Sequence, residues 1–254
     1  MLTSHVLTAL ASRPDLSGKT RNNYLGVLQD ALEAAVTDRV LEVNPAAKVP
    51  KAKHQKLPPD PFTREESEAI LQKIGQLFPG HVFNMAEFWF WSGLRTGELL
   101  GLTWANVDLE HGIVHVRESL VRGQYKGSTK TNVARRVIMN SRSRAALERQ
   151  SLLPRAKGPT VFLDPRTSKG WANETVFLKS YWIPVLKWLG IRYRRPYNCR
   201  HTYATQMLMA GMNPAFCAGQ LGHSVEIFLG TYSRWLDGDR NALEMGRLEA
   251  AISG

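Results

Sequence analysis

Residues 197–232 read YNCRHTYATQMLMAGMNPAFCAGQLGHSVEIFLGTY. Arg200 to Met209 predicts one helix, closed by Gly211. Asn213-Pro214 opens the next, with asparagine as cap and proline in the first turn, where no amide donor is needed. Gly222 ends it, because glycine takes the left-handed turn that terminates a helix at no steric cost. The stretch therefore sets Arg200-His201-Thr202 at a helix start and Leu221-Gly222-His223 at a helix end, with Tyr232 nine residues after His223.

Upstream, Gly93-Leu94-Arg95-Thr96-Gly97-Glu98 puts an arginine at the start of a further helix, which carries Leu99 and Leu102. Before it, Thr63-Arg64-Glu65-Glu66 is a capping box, followed by Ile70, Leu71, Ile74 and Leu77 on one face. Met85 to Trp91 predicts an apolar, aromatic core helix. Strand signals follow: Val107 to Leu109, a turn at Glu110-His111-Gly112, Ile113 to Val116, and a third strand over Val133 to Met139. Lys130 lies at the tip or edge of the second turn. After Val161-Phe162-Leu163 the chain turns helical again; Phe177, Tyr181, Val185 and Trp188 share a face, with a kink at Pro184.

The first 47 residues form a smaller helical segment. Ser17 caps a helix on which Tyr24, Leu28, Leu32 and Ala35 recur at helical spacing, and Asn44-Pro45 stops it. Residues 48–61 hold Lys48, Lys51, Lys53, His54 and Lys56, with four prolines and no acid before Asp60. They read as a basic linker able to lie along a phosphate backbone, or simply as a solvated connection. The third segment, 62–254, holds everything else. The expected fold class is mainly α (α+β): a helical domain with a small three-stranded antiparallel sheet, preceded by a partial helical domain.

The formal charge of +11 favours a polyanionic partner, since each phosphate neutralised releases a counterion. Its distribution is more telling than its size. Thr175 to Val225 carries no Asp or Glu over 51 residues, and Arg117 to Arg144 carries eight Lys or Arg against Glu118 alone. These stretches predict a surface cleared of acids for phosphate, with Arg135, Arg136, Arg194 and Arg195 as contacts. Cys199 and Cys217 match no zinc spacing and predict buried thiols in a reducing cytoplasm. No apolar run reaches the ~20 residues of a membrane span. Val6 to Ala11 lacks a preceding basic residue and reads as helix rather than secretion signal.

Singly, each of these features is ordinary. In this order, Arg95, Lys130, Arg200, His223 and Tyr232 resemble the tyrosine recombinases of the phage-integrase family, over about Ser17 to Tyr232. The Lys19-to-Tyr24 stretch and the Asn44-Pro45 stop resemble that family's core-binding domain. The resemblance implies site-specific DNA recombination, with Tyr232 attacking a phosphodiester to form a 3′-phosphotyrosine. It implies Lys130 as general acid to the leaving 5′ oxygen, His223 on a non-bridging oxygen, and Glu98 orienting a neighbouring side chain. Arg95 and Arg200 supply two forks of donors matched to phosphate, a task that metal ions perform in many nucleases. No carboxylate cluster or His/Cys metal site stands out, and neither metal nor ATP is expected. The expected partners are double-stranded DNA with specific attachment sites and three further protomers in a tetramer.

Two departures stand against the family pattern. Tyr197 occupies the place of a histidine three residues before the second arginine, and His201 is expected to point elsewhere on the helix. The base for Tyr232 is thereby left unassigned, with Tyr197 a substitute in binding phosphate. Only 16 residues precede Ser17, implying a truncated or shortened relative without an arm-binding domain. A type IB topoisomerase and a silent DNA-binding relative remain alternatives. Beyond Asp237-Gly238-Asp239, Ala242, Met245, Leu248 and Ile252 form one stripe of a short tail helix that must be buried somewhere, on its own domain or on a neighbour.

Overall fold

The computed structural model describes residues 2–55, 57–121, 123–127, 134–154, 158–235 and 241–252. Lys56, Lys130, Val133 and Asp237-Gly238-Asp239 lie outside them. Two compact units divide at Pro58–Pro59.

The first unit holds α1 (Thr3–Ala11) and α2 (Gly18–Thr37). Ser17 caps α2 by accepting the Thr20 amide, as its sequence predicts. The small core is Val6, Leu25, Ala46 and Val49, and Tyr24 is exposed rather than on the buried face. Leu28 and Leu32 do pack against this core. The Asn44 side chain bonds the Gln29 carbonyl, the Glu33 carboxylate and the Ala46 amide, which turns the chain back along α2. Val49 then enters the core, and Asn22 clasps both the amide and the carbonyl of Ala52. The first half of the expected linker is thus part of this unit, while Lys48, Lys51 and Lys53 remain exposed on it.

The second unit opens with α3 (Arg64–Leu77), where Thr63 and Glu66 form the predicted capping box. Ile70, Leu71 and Ile74 are buried; Leu77 is not. α4 (Gly80–Ser92) is apolar on nearly every side and therefore central. It packs on α3, α6 (Ser141–Leu152) and α9 (Asn198–Met209). Arg142 and Arg149 reach down from α6 to the buried Glu87 of α4. α5 is Thr96–Leu100.

The three-stranded antiparallel sheet is present in the order β1 (Val107–Asp108), β2 (Ile113–Val116), β5 (Arg135–Ile138). A second hairpin that the sequence reading missed, β3 (Ser119–Val121) with β4 (Gln124–Lys126), packs against α5. β6 (Leu163–Asp164) and β7 (Lys169–Gly170) make a third short hairpin. α7 (Thr175–Phe177) runs through a π-helical turn, Leu178–Trp182, into α8 (Ile183–Trp188). That widened turn sits just before Pro184, which can offer no amide to the ladder. Trp188 faces outward, with the Lys73 ammonium over its ring. α10 (Pro214–Leu221), α11 (Val225–Tyr232) and α12 (Asn241–Ile252) complete the chain. Among the described residues no helix is long and apolar enough to cross a membrane.

Candidate active site

Two left-handed glycines build the site's frame. Gly93 ends α4 at φ 64°, and a Cβ there would lie 2.6 Å from Tyr203 and 2.7 Å from Leu221. Gly222 ends α10 at φ 66°. Each turn aims a carbonyl at an arginine. The Gly93 oxygen accepts from Arg200 Nη1 at 2.6 Å, and the Gly222 oxygen accepts from Arg95 Nη2 at 3.0 Å. Arg200 Nη2 also donates to the Leu221 carbonyl at 2.6 Å. Arg200 has no exposed surface. Burial, above all, lowers its pKa to about 10, so it stays a cation near neutral pH.

His223 follows Gly222, its amide tied to the Ala218 carbonyl at 2.9 Å. Its Nε2 lies 2.9 Å from Arg200 Nη2. A guanidinium only donates, so Nε2 must be the acceptor and the ring proton sits on Nδ1. Burial first, then the charges of Arg200, Arg95 and Arg135, lower the His223 pKa to about 3 and keep the ring neutral. Nδ1–H is therefore a neutral donor, and neither it nor Arg200 Nε has a hydrogen-bond partner among the described residues. Two buried donors without acceptors, on residues that touch each other, are costly unless something else accepts from them.

Glu98 anchors the opposite side. Its Oε1 accepts from Arg95 Nη1 at 2.8 Å and Arg135 Nη1 at 2.8 Å; Oε2 accepts from Arg135 Nη2 at 2.6 Å and the Arg95 amide at 2.8 Å. Burial alone would raise its pKa, but the bonds and charge of Arg135, with the bonds from Arg95, hold it at about 2. Arg135 Nε also reaches the Gln220 carbonyl at 3.1 Å. The sequence position of Arg135 implies a surface contact for DNA; the side chain is instead buried, a strut that ties β5 to α5 and α10. Glu98→Gln is expected to lower unfolding free energy by about 3 kcal/mol near neutral pH, since two guanidiniums lose their counterion. The folded pKa lies below the ordinary 4.5, so this stabilisation is full above that value and drains as pH falls toward 2. Urea midpoints should differ between parent and variant at about pH 7, and the gap should narrow below the ordinary 4.5 and close only near or below about pH 2; equal midpoints at about pH 7 would contradict the assignment.

Tyr232 is the last residue of α11 and has no exposed surface. Its ring packs on Phe228, Trp235 and His223. Burial raises its pKa well above that of a free phenol. Its hydroxyl lies 2.7 Å from His201 Nδ1. The expectation that His201 points away is therefore corrected. Arg200 and His201 do leave α9 in different directions, but α11 crosses where the imidazole emerges. Tyr197, half-buried at the cap of α9, sets its ring edge-on to His201 at 5.2 Å.

Arg136 and Arg195 are exposed, as expected of contacts to a phosphate backbone. Arg194 is not. It bonds Glu66 at 2.6 Å, pairs with Asp60 and lies over the Phe62 ring. Arg192 pairs with Asp60 as well. A stretch free of acids in sequence is not free of them in space, because α3 and the segment before it supply the carboxylates. Among the described residues no group of three or more His, Cys, Asp or Glu could hold a metal ion.

Residues 62–236 match the phage integrase family, and the chain belongs to it. The prophage integrase IntR of Escherichia coli (strain K12) is 33% identical over 259 residues, covering 92% of this chain and 62% of the relative. The chain therefore spans under two thirds of that protein's length. Among solved structures, the integrase of transposon Tn1549, in complex with a circular intermediate DNA, has a TM-score of 0.77 at 23% identity, over 97% of this chain and 85% of that one. A lambda integrase dimer bound to a core site has a TM-score of 0.70 at 19% identity, over 93% and 65% of the two chains. Both show that the fold is shared.

Proposed function

We propose that the chain breaks and rejoins double-stranded DNA at specific sites as a tyrosine recombinase. The observation that carries this is the convergence of Arg95, Arg200 and His223 around Tyr232, with two buried donors left over. Arg200 Nε and His223 Nδ1 would bind non-bridging oxygens of the scissile phosphate, and Arg95 would add a second guanidinium. Such preorganised donors gain strength as charge builds on those oxygens in the transition state. Tyr232 attacks phosphorus, the 5′ oxygen leaves, and Lys130 protonates it. Glu98 and Arg135 keep Arg95 in place. Tyr197 adds a hydroxyl that donates a hydrogen bond to the phosphate. The phosphotyrosine conserves the bond, so rejoining requires neither ATP nor, on this reading, a metal.

Lys48, Lys51, Lys53, Lys56, Arg136 and Arg195 are assigned to the DNA backbone. A cytoplasmic setting fits the free, buried Cys199 and Cys217. A silent DNA-binding relative would bind without covalent linkage. The test uses a pool of nicked duplexes of randomised sequence, with EDTA present, carried through rounds of recovery of protein-linked DNA. The expected result is a covalent adduct enriched for one sequence motif; stable binding with no adduct would leave the binder.

Assembly as a tetramer on paired sites is part of the proposal. Met245, Leu248 and Ile252 stand exposed on α12, which favours docking on a neighbouring protomer over packing on the home domain. Tyr232 has no exposed surface and packs on Trp235 of the Ser233–Trp235 turn, which precedes α12 in the chain. Deleting residues 240–254 is expected to abolish tetramers on the recovered DNA while single-site binding persists. Sedimentation would reveal it; a truncated chain that still forms tetramers at the parental concentration removes the tail from assembly.

A further inference from the structure

We propose that His201 is the catalytic base that takes the proton from Tyr232; this rests on the reading of Tyr232 as nucleophile. The phenol needs such a partner. Burial makes its phenolate costly, so the proton must leave as the oxygen attacks and not before. His201 Nδ1 lies 2.7 Å from the hydroxyl, within the reach a general base requires.

The other polar groups of the site are unsuited. Arg95 and Arg200 are cations with no lone pair to offer. His223 presents Nε2 to Arg200 and keeps its proton on Nδ1, so it is a donor toward the site. Glu98 accepts from Arg95 and Arg135 on both oxygens. Tyr197 is itself a phenol and a poor base near neutral pH. What Tyr197 does is hold His201, with the two rings packed edge to face. His201 is only partly buried, so a proton taken up there can pass on to water.

The step balances as follows. The Tyr232 O–H bond breaks and its proton moves to Nδ1 of the neutral imidazole, giving imidazolium. The Oη–P bond forms, the P–O5′ bond breaks, and the leaving 5′ oxygen takes a proton from the Lys130 ammonium. In rejoining, the 5′ hydroxyl attacks phosphorus and gives its proton to the Lys130 amine. The departing Tyr232 oxygen recovers its proton from His201.

His201→Gln and His201→Ala separate a base from a brace. Glutamine offers an oxygen to the phenol but cannot carry its proton; alanine offers nothing. Single-turnover adduct formation would be followed on nicked duplexes recovered with the parent protein. His201→Gln is expected to slow it by about 100-fold or more while DNA affinity is unchanged. His201→Ala is expected to be slowed similarly and to be partly rescued by imidazole in the buffer. Circular dichroism melting guards against misfolding, and if alanine loosens the packing, glutamine fills the same space and carries the test alone. Adduct formation by His201→Gln at the parental rate would overturn the proposal. A parent that forms no adduct, or an undiminished adduct from Tyr232→Phe, would instead remove the nucleophile reading beneath it.

Discussion

A Tyr232→Phe protein is expected to bind DNA as the parent does and to form no covalent adduct with it. The substitution removes one atom. The ring keeps its contacts with Phe228, Trp235 and His223, so the local packing survives. The only described hydrogen bond lost is that to His201, worth about 1 kcal/mol of stability. What disappears is the oxygen that attacks phosphorus. Denaturing gels of protein incubated with nicked duplex would show the parent shifted and the variant not. An undiminished shifted band from the variant would end the assignment.

Arg200→Ala is expected to lower the rate of adduct formation by about two to three orders of magnitude, the range for losing a preorganised transition-state donor. Arg200 does two things at once. It holds the Gly93 and Leu221 carbonyls and fixes the His223 tautomer, while its Nε is left for the phosphate. Alanine therefore also leaves two buried carbonyls without their donor, at a cost of roughly 1–3 kcal/mol each. Arg200→Lys keeps the charge but not the fork, and should also be slow while melting closer to the parent. Binding should change little in either, since exposed basic residues elsewhere meet the backbone. Single-turnover cleavage by Arg200→Lys at the parental rate would show that the guanidinium's geometry is not what the site uses.

The helices of the second unit were legible because their signals are local. A capping box at Thr63–Glu66, Asn213-Pro214 and the two terminating glycines need no tertiary information. The three-stranded sheet followed from alternation and a turn for the same reason. The β3–β4 hairpin escaped because its strands are three residues each and β4 is wholly exposed, leaving no apolar alternation to read.

The site was legible in its order of residue types but not in its connections. Nothing local distinguishes Arg135 from Arg136; they alternate on a strand, so one faces Glu98 and the other faces outward. A charged strand residue opposite a buried acid is the available signal, and it requires knowing where α5 lies. Helical geometry turns His201 away from Arg200. The turn is real, but helix direction alone cannot show that α11 passes on that side. The ion pairs of Arg194 escape a sequence reading for a related reason: its partners Asp60 and Glu66 are more than 120 residues earlier in the chain.

The most direct test is to find where on the protein the DNA is attached. Adducts recovered from the nicked duplex pool in EDTA would be digested with nuclease and protease and mapped by mass spectrometry. The prediction is a nucleotide joined through its 3′ phosphate to the peptide containing Tyr232, with a free 5′ hydroxyl on the released strand. A nucleotide carried by any other residue, or a linkage through a 5′ phosphate, would contradict the account.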